Sequence, residues 1–395
     1  MRTLLSLALA AVFAACSGSH RDEEPDASPI ARESAAADLQ RSRCALRDPV
    51  SANAREMLSA PWVERGASGP RLFAHVQDQD LLWAQASEGG ETLPTSIGRE
   101  PGAFAWTGSR YVTLSWREPT RDYVDSVAAP RVDHRVEVRD GQFQNPRAAR
   151  VRLPGSTCSA RLTAMAQRVL LTWRQRHGRT CEDGGGSGWY QVLDANGDPL
   201  TTARPLTVGH DKDESHPPLE SLSARWDFGR AVVTAQRSGL ESPFAWVLAP
   251  DGEVLWSGPA EHASGASEHV VCPRAGCFRV RDNRENSTDE QDSTATTLQF
   301  DRIGGSGFRV SAVMRGVRAA VVSGDRVLLL HVPPQNVTGC GLSVIDAGRR
   351  AVVLDEHDGN MTCEESSAVA TPRGFQIAAL EPSRGAFTRA IDCVW

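Results

Sequence analysis

Two short segments carry side chains suited to metal or proton chemistry at workable spacing. His210-Asp211-Lys212-Asp213-Glu214-Ser215-His216 gathers two imidazoles and three carboxylates in one stretch, a set able to hold a metal or move a proton. Lys212, the only lysine of the chain, sits among them as a competing charge, and a solvated loop is the favoured reading. Asp194-Ala195-Asn196-Gly197-Asp198 places oxygen ligands at alternate positions, as the first half of a calcium loop does. The later acidic ligand is missing and Asn196-Gly197 is a turn signal, so a plain hairpin is favoured. Asp194, Asn196, Asp198, His210 and His216 are weak metal candidates. The sequence assigns no metal, no cofactor and no catalytic residue. It contains no G-x-S-x-G elbow, H-E-x-x-H helix or P-loop.

The nine cysteines speak of compartment rather than catalysis. The chain opens with Arg2, an apolar core from Thr3 to Phe13, and then Ala14-Ala15-Cys16, the layout of a secretory signal. That core is too short to span a bilayer as a mature helix. Phe13-Ala14-Ala15-Cys16 resembles the lipobox of bacterial lipoproteins, with Phe13 where Leu is usual. The resemblance implies that Cys16 becomes the lipidated first residue, and Ser17-Gly18 after it implies the outer membrane. Setting Cys16 aside leaves Cys44, Cys158, Cys181, Cys272, Cys277, Cys340, Cys363 and Cys393, an even set. In an exported chain such a set points to disulfides. No spacing among them gives the paired CxxC of a structural zinc site.

The elements that position these residues follow from repetition. Residues 17–42 are rich in Ala, Ser, Arg and acids, with Pro25 and Pro29, and read as a flexible tether. Beyond them, short runs of β-favouring residues alternate with turn residues. One marker recurs: a turn residue or Gly, usually an Arg, then a run of strand formers. It starts at Arg71, Arg110, Arg168, Arg230, Phe278, Arg326 and Phe375, the last four close to 48 residues apart. That period, with several strands in each copy, predicts an all-β β-propeller of seven four-stranded blades.

The third copy displays the meander. Ala160–Ala166, Arg168–Arg174 and Trp189–Leu193 are its first three strands, Asn196-Gly197 the hairpin, and Leu200 onward the fourth strand. Asp251-Gly252 plays the same part in the fourth copy. The last copy runs out after a third strand over Ala386–Val394, and Arg43–Val50 is unassigned. An N-terminal strand from Arg43–Val50 completing the last blade, as in the overlapping clasp of propeller families, sets Cys44 beside Cys393. A bond there closes a loop of roughly 350 residues, worth about 5 kcal/mol in the chain-entropy account. Local pairing of Cys158 with Cys181, Cys272 with Cys277 and Cys340 with Cys363 suits a meander. Ala86-Ser87-Glu88-Gly89-Gly90-Glu91-Thr92-Leu93 is similar to the Asp-box turn of sialidase-type propellers at its two Gly and its Thr. This supports a propeller turn, and Tyr111, Tyr123 and Tyr190 give no marked catalytic tyrosine.

Net charge of −6 argues against nucleic acid as a partner. The Trp residues fall inside strand runs and suit packing between blades, and Asp282–Ser293 reads as a solvated loop. The organisation is a signal over 1–15, a tether over 16–42 and a propeller over 43–395. The functional expectation is a monomeric, lipid-anchored envelope protein that binds a protein or glycan ligand or serves as a scaffold. A propeller hydrolase or lyase acting on an extracellular polymer, and a structural part of an envelope complex, are the alternatives.

Overall fold

The computed structural model describes residues 43–51, 62–66, 69–75, 81–86, 95–96, 101–117, 133–176, 186–207, 219–237, 243–260, 268–283, 295–314, 316–334, 337–381 and 385–394. The signal, Cys16, the tether, Cys181, His210, His216 and the Asp-box-like turn lie outside them. Two short strands come first, β1 (Cys44–Leu46) and β2 (Val50–Ser51). The first unit is β3 (Trp62–Gly66), β4 (Gly69–His75), β5 (Leu81–Ala86) and β6 (Thr95–Ser96). The second is β7 (Pro101–Trp106), β8 (Tyr111–Arg117), β9 (Asp133–Arg139) and β10 (Arg147–Arg152). The third is β11 (Thr157–Met165), β12 (Arg168–Arg176), β13 (Gly186–Leu193) and β14 (Arg204–Pro205). The fourth is β15 (Leu219–Asp227), β16 (Arg230–Arg237), β17 (Phe244–Leu248) and β18 (Val254–Pro259). The fifth is β19 (Glu268–Val271), β20 (Phe278–Asn283), β21 (Ala295–Arg302) and β22 (Phe308–Met314). The sixth is β23 (Gly316–Ser323), β24 (Arg326–Val332), β25 (Cys340–Asp346) and β26 (Ala351–Asp358). The seventh supplies β27 (Ser367–Thr371), β28 (Gly374–Glu381) and β29 (Gly385–Cys393).

Within each unit the strands pair antiparallel in chain order, and a single bridge, Gly186 with Leu219, joins the third sheet to the fourth. The fold is a seven-bladed β-propeller. The fourth strand of the third blade is shorter than the sequence suggests, two residues at Arg204–Pro205 rather than a run from Leu200. The chain over Leu200–Thr201 instead closes the hairpin, with Leu200 N–H donating to Val192 O at 2.8 Å.

Strand periodicity explains why each blade needs two neighbours. Successive side chains leave a strand on opposite faces. In β24, Val327 and Leu329 enter the core shared with the fifth blade, while Leu328 and Leu330 enter the core shared with the seventh. In β12, Val169, Leu171 and Trp173 pack toward the second blade and Leu170 toward the fourth. A strand buried on both faces reads as a continuous apolar run, and this is what the repeated marker records. Phe73, Phe104, Tyr111 and Phe143 fill the wedge between the first and second blades.

The Arg of the marker has its own task. Arg110 Nη1 donates to Asn196 Oδ1 at 3.0 Å. Arg168 Nη1 donates to Pro250 O at 3.0 Å, and Arg230 Nη1 reaches Cys277 Sγ at 3.0 Å. Arg326 Nη2 donates to Val394 O. In each case the guanidinium leaves the start of a blade's second strand and reaches the next blade along the chain.

The ring closes twice over. Val63, Leu72 and Ala74 of the first blade share a core with Ala378 and Ala386 of the seventh. On the outer edge, β1 pairs with β29, Cys44 facing Cys393 and Leu46 facing Ile391, and β2 continues the pairing at Val50 and Thr388. A disulfide joins Cys44 to Cys393, and Arg47 Nε meets Asp392 Oδ2 at 2.8 Å. Cys272 is bonded to Cys277 and Cys340 to Cys363. Cys158 is also disulfide-bonded, with its partner outside the described residues. Replacing Cys44 with Ser is expected to lower unfolding free energy by about 2–5 kcal/mol, read from denaturant unfolding. An unchanged midpoint would show that packing alone closes the ring.

Candidate functional site: the central cavity

The first strands of the blades surround the ring axis, and a cavity of about 170 Å³ lies among β3, β7, β11, β15, β23 and β27. Its lining comes from the later residues of these strands, so it sits toward the hairpins that lead into the second strands. Its charged members are Glu64 and Arg65 on β3 and Arg225 and Asp227 on β15. Phe104, Leu162, Val321 and Val369 are among its apolar members.

The two charged pairs differ in kind. Asp227 is buried and accepts a fork from Arg225, Nε to Oδ1 at 2.9 Å and Nη2 to Oδ2 at 3.2 Å. Its Oδ2 also accepts the backbone N–H of Cys272 at 2.7 Å. The Arg225–Asp227 pair is therefore a clamp from the fourth blade to the fifth, and its charges cancel. Removing one member of such a pair strands the other.

Glu64 and Arg65 make no ion pair with another side chain among the described residues. Val63, just before them, is pinned to the seventh blade by its N–H bond to Ser367 Oγ at 2.8 Å. Val63 faces the closing core, and strand alternation turns Glu64 to the opposite face. Glu64 is half-buried and Arg65 exposed, but the surface they expose is the inside of the ring, where protein surrounds them. Burial raises the Glu64 carboxyl to about 7, against the opposing pull of the Arg65 charge and the Arg65 backbone N–H. Burial likewise lowers the Arg65 guanidinium, which Glu64 partly restores. The arrangement offers one cation and one carboxyl able to gain or lose a proton near neutrality.

His269 on β19 lies in the adjoining wall. Its Nε2 stands 3.1 Å from Val317 O and donates to it, tying the fifth blade to the sixth. Burial, and to a lesser extent the charge of Arg225, lower it to about 4, outweighing the hydrogen bond to Val317. It is neutral at pH 7. A second polar constellation lies inside the sixth blade, where His331 Nε2 is 2.9 Å from Ser343 Oγ and Ser343 Oγ donates to Asp355 Oδ1 at 2.7 Å. These are the residue types of a hydrolytic triad in the wrong order. The hydroxyl is spent on the carboxylate, so the imidazole has no proton to take from it. His331 is fully buried, and its ring lies over Gly341, where a Cβ would come within 2.1 Å of it. This is blade packing.

Of the metal candidates singled out in the sequence, Asp194, Asn196 and Asp198 fall elsewhere, and His210 and His216 lie outside the described residues. Asp194 Oδ1 accepts the N–H of Asn196 at 2.8 Å and of Asp198 at 2.9 Å, Asn196 Oδ1 takes Arg110, and Asp198 Oδ1 lies 3.9 Å from Arg150 Nε. The segment is a hairpin turn joined to the second blade. No group of three or more metal-ligating side chains occurs among the described residues. The cavity residues carry no motif of their own and lie in strands, not in the polar loops. The available signal was charge inside a first strand, Glu64-Arg65 in WVERG and Arg225 with Asp227 in ARWD, where strand formers are expected.

No protein family matches the sequence, and no curated protein matches it. Solved structures do resemble the fold. Over 87% of this chain and 54% of the other, it superposes on puromycin hydrolase with a TM-score of 0.51 at 10% identity. The Myceliophteria thermophila Cps50 (Swd1) beta-propeller domain gives 0.47 at 11% identity, over 88% of this chain and 99% of that one. Streptogramin B lyase gives 0.46 at 8% identity, over 89% and 98%. The likeness is one of architecture, and the chemistry rests on this chain's own residues.

Two outcomes follow from the geometry. Asp227→Ala leaves Arg225 unpaired and the Cys272 N–H without an acceptor, and is expected to cost about 3–5 kcal/mol in urea unfolding. Glu64 is protonated at higher pH in the folded state than in the unfolded chain, where its value is near 4.5. Its burial costs nothing below pH 4.5, and the penalty grows as pH rises to 7 and stays constant above. Glu64→Gln is therefore expected to raise the urea midpoint at pH 8 and leave it unchanged at pH 4.5. Equal shifts at both values would assign the effect to packing.

Proposed function

We propose that this is an exported, lipid-anchored binding protein whose propeller holds a small polar ligand in its central cavity. The observation that carries the reading is the Glu64–Arg65 pair, charged groups kept inside the ring without an ion-pair partner among the described residues. Both line the central cavity, and the other charged pair there, Arg225 with Asp227, is fully engaged. The disulfides accord with an oxidising compartment, and the signal with Cys16 supports an anchor in the bacterial envelope. The exposed large apolar side chains, such as Leu200, Leu255, Val337 and Val394, are spread over several blades, which favours a binder over a purely structural envelope part.

A second reading, a hydrolase or lyase, draws on the same Glu64, since a carboxyl near 7 suits general acid–base work. Among the described lining residues the one hydroxyl, Thr163, donates to Ala224 O at 3.2 Å, so binding is the better-supported function. Detergent-extracted native protein, denatured and analysed by mass spectrometry, is expected to carry acyl mass on Cys16. It is also expected to release a co-purifying small molecule at near-stoichiometric yield. Arg65→Ala should lose at least about nine-tenths of that molecule, the loss of one charge-assisted contact. Equal yield from the variant would place the ligand elsewhere. Absence of acyl mass would refute the anchor.

A further inference from the structure

We infer that the cavity ligand is a small organic carboxylate, seated on the Arg65 guanidinium and bound together with a proton on the Glu64 carboxyl. This rests on the reading of the cavity as a binding site. Charge selects the class. Arg225 is neutralised by the fork to Asp227, so the balance of the cavity is Arg65 against Glu64. A cationic ligand would meet Arg65 at close range. An anion meets a favourable cation, and the one opposing charge, Glu64, can be removed by a single proton. Glu64 and Arg65 leave β3 on opposite faces, so the proton acts by removing the opposing charge near the ligand rather than through a hydrogen bond shared with Arg65. Guanidinium and carboxylate match as planar forks.

The walls select a carboxylate over a phosphate. Polar groups concentrate on β3 and β15, while Phe104, Leu162, Val321 and Val369 line the remainder, a surface suited to the hydrocarbon of an organic acid. A phosphate needs more donors than one guanidinium and one carboxyl provide. Size bounds the rest. A cavity of about 150 Å³ takes a benzene, so about 170 Å³ suits an acid of roughly eight non-hydrogen atoms.

The charged groups around Glu64 are few. Arg65 adjoins it on β3, Arg71 stands opposite it in the β3–β4 register, and Arg225 with Asp227 face the cavity from β15. The cavity-lining residues of β7, β11, β23 and β27 include no titratable side chain. With Glu64 near 7, a ligand that requires its proton binds about tenfold more weakly at pH 8 than at pH 6.

The test is calorimetric titration of the full-length, detergent-extracted protein, cleared of co-purifying ligand, with the monocarboxylate benzoate and its uncharged analogue benzamide. Benzoate is ionised throughout the range. Expected are the tenfold fall for benzoate between pH 6 and 8, and weak or absent benzamide binding. Proton uptake, read in buffers of different ionisation heat, should be close to one per site at pH 8 and about a tenth of one at pH 6. Arg65→Gln should weaken benzoate at least tenfold. Glu64→Gln should bind it with no pH dependence, and both variants should keep the wild-type melting midpoint at pH 6 within a few degrees. Benzoate binding that is independent of pH or of Arg65, or no benzoate binding at all, overturns the inference. Arg65-dependent binding of benzamide alone, or an uncharged molecule released from native protein, would retain the cavity as a binding site while removing the carboxylate. If benzoate and the native ligand are both indifferent to Arg65, the binding reading falls as well.

Discussion

Everything in this molecule depends on the burial of both faces of every blade. Inner strands such as β24 and β25 are buried on both faces and leave none for water, whereas outer strands such as β10 and β18 stay largely exposed. Neighbours on each side are then a requirement, and only a closed ring gives each blade two. The closure between the seventh and first blades is thus the condition under which the other interfaces form. It is met by Val63, Leu72 and Ala74 packing on Ala378 and Ala386, and by β1 covering the open edge of β29. Without β1 that edge would offer unpaired backbone groups to any passing strand.

The same closure builds the cavity. The first strands meet at the axis, while larger side chains on later elements, such as Phe73, Tyr111 and Phe143, fill the wedge between the first and second blades. Glu64 and Arg65 belong to the blade at the junction, on the strand whose Val63 N–H is held by Ser367. The candidate site and the seam of the ring therefore share a strand. Charge at this place is affordable only because the rest of the wall is either apolar or already paired, as Arg225 and Asp227 are.

The architecture could be read before any coordinates because its signals are local. A marker such as Arg326–His331 is a continuous apolar run, and Asn196-Gly197 and Asp251-Gly252 fix hairpins through positive φ, at 73° and 83°. The clasp followed from a missing strand and two cysteines, and the structure brings Cys44 and Cys393 together. The site could not be read in the same way. Glu64 and Arg65 become special only when several strands, distant in sequence, converge on one axis, and nothing in WVERG alone reports that convergence. Asp194, Asn196 and Asp198 form the plain hairpin turn that their Asn-Gly predicts. A hairpin that caps its own backbone uses the same oxygen-rich residues as a metal loop.

The arginine that opens the second strand gives the assembly a direction. Arg110, Arg168, Arg230 and Arg326 each reach forward, to the blade that follows. These four joints thus have a donor side and an acceptor side, as in head-to-tail subunit assemblies, which form rings when the rotation closes and filaments when it does not. A chain whose ends failed to meet would present one unmatched side at each extremity, complementary to the other extremity of a second chain. The clasp at Cys44 and Cys393 holds the two extremities of this series in one chain.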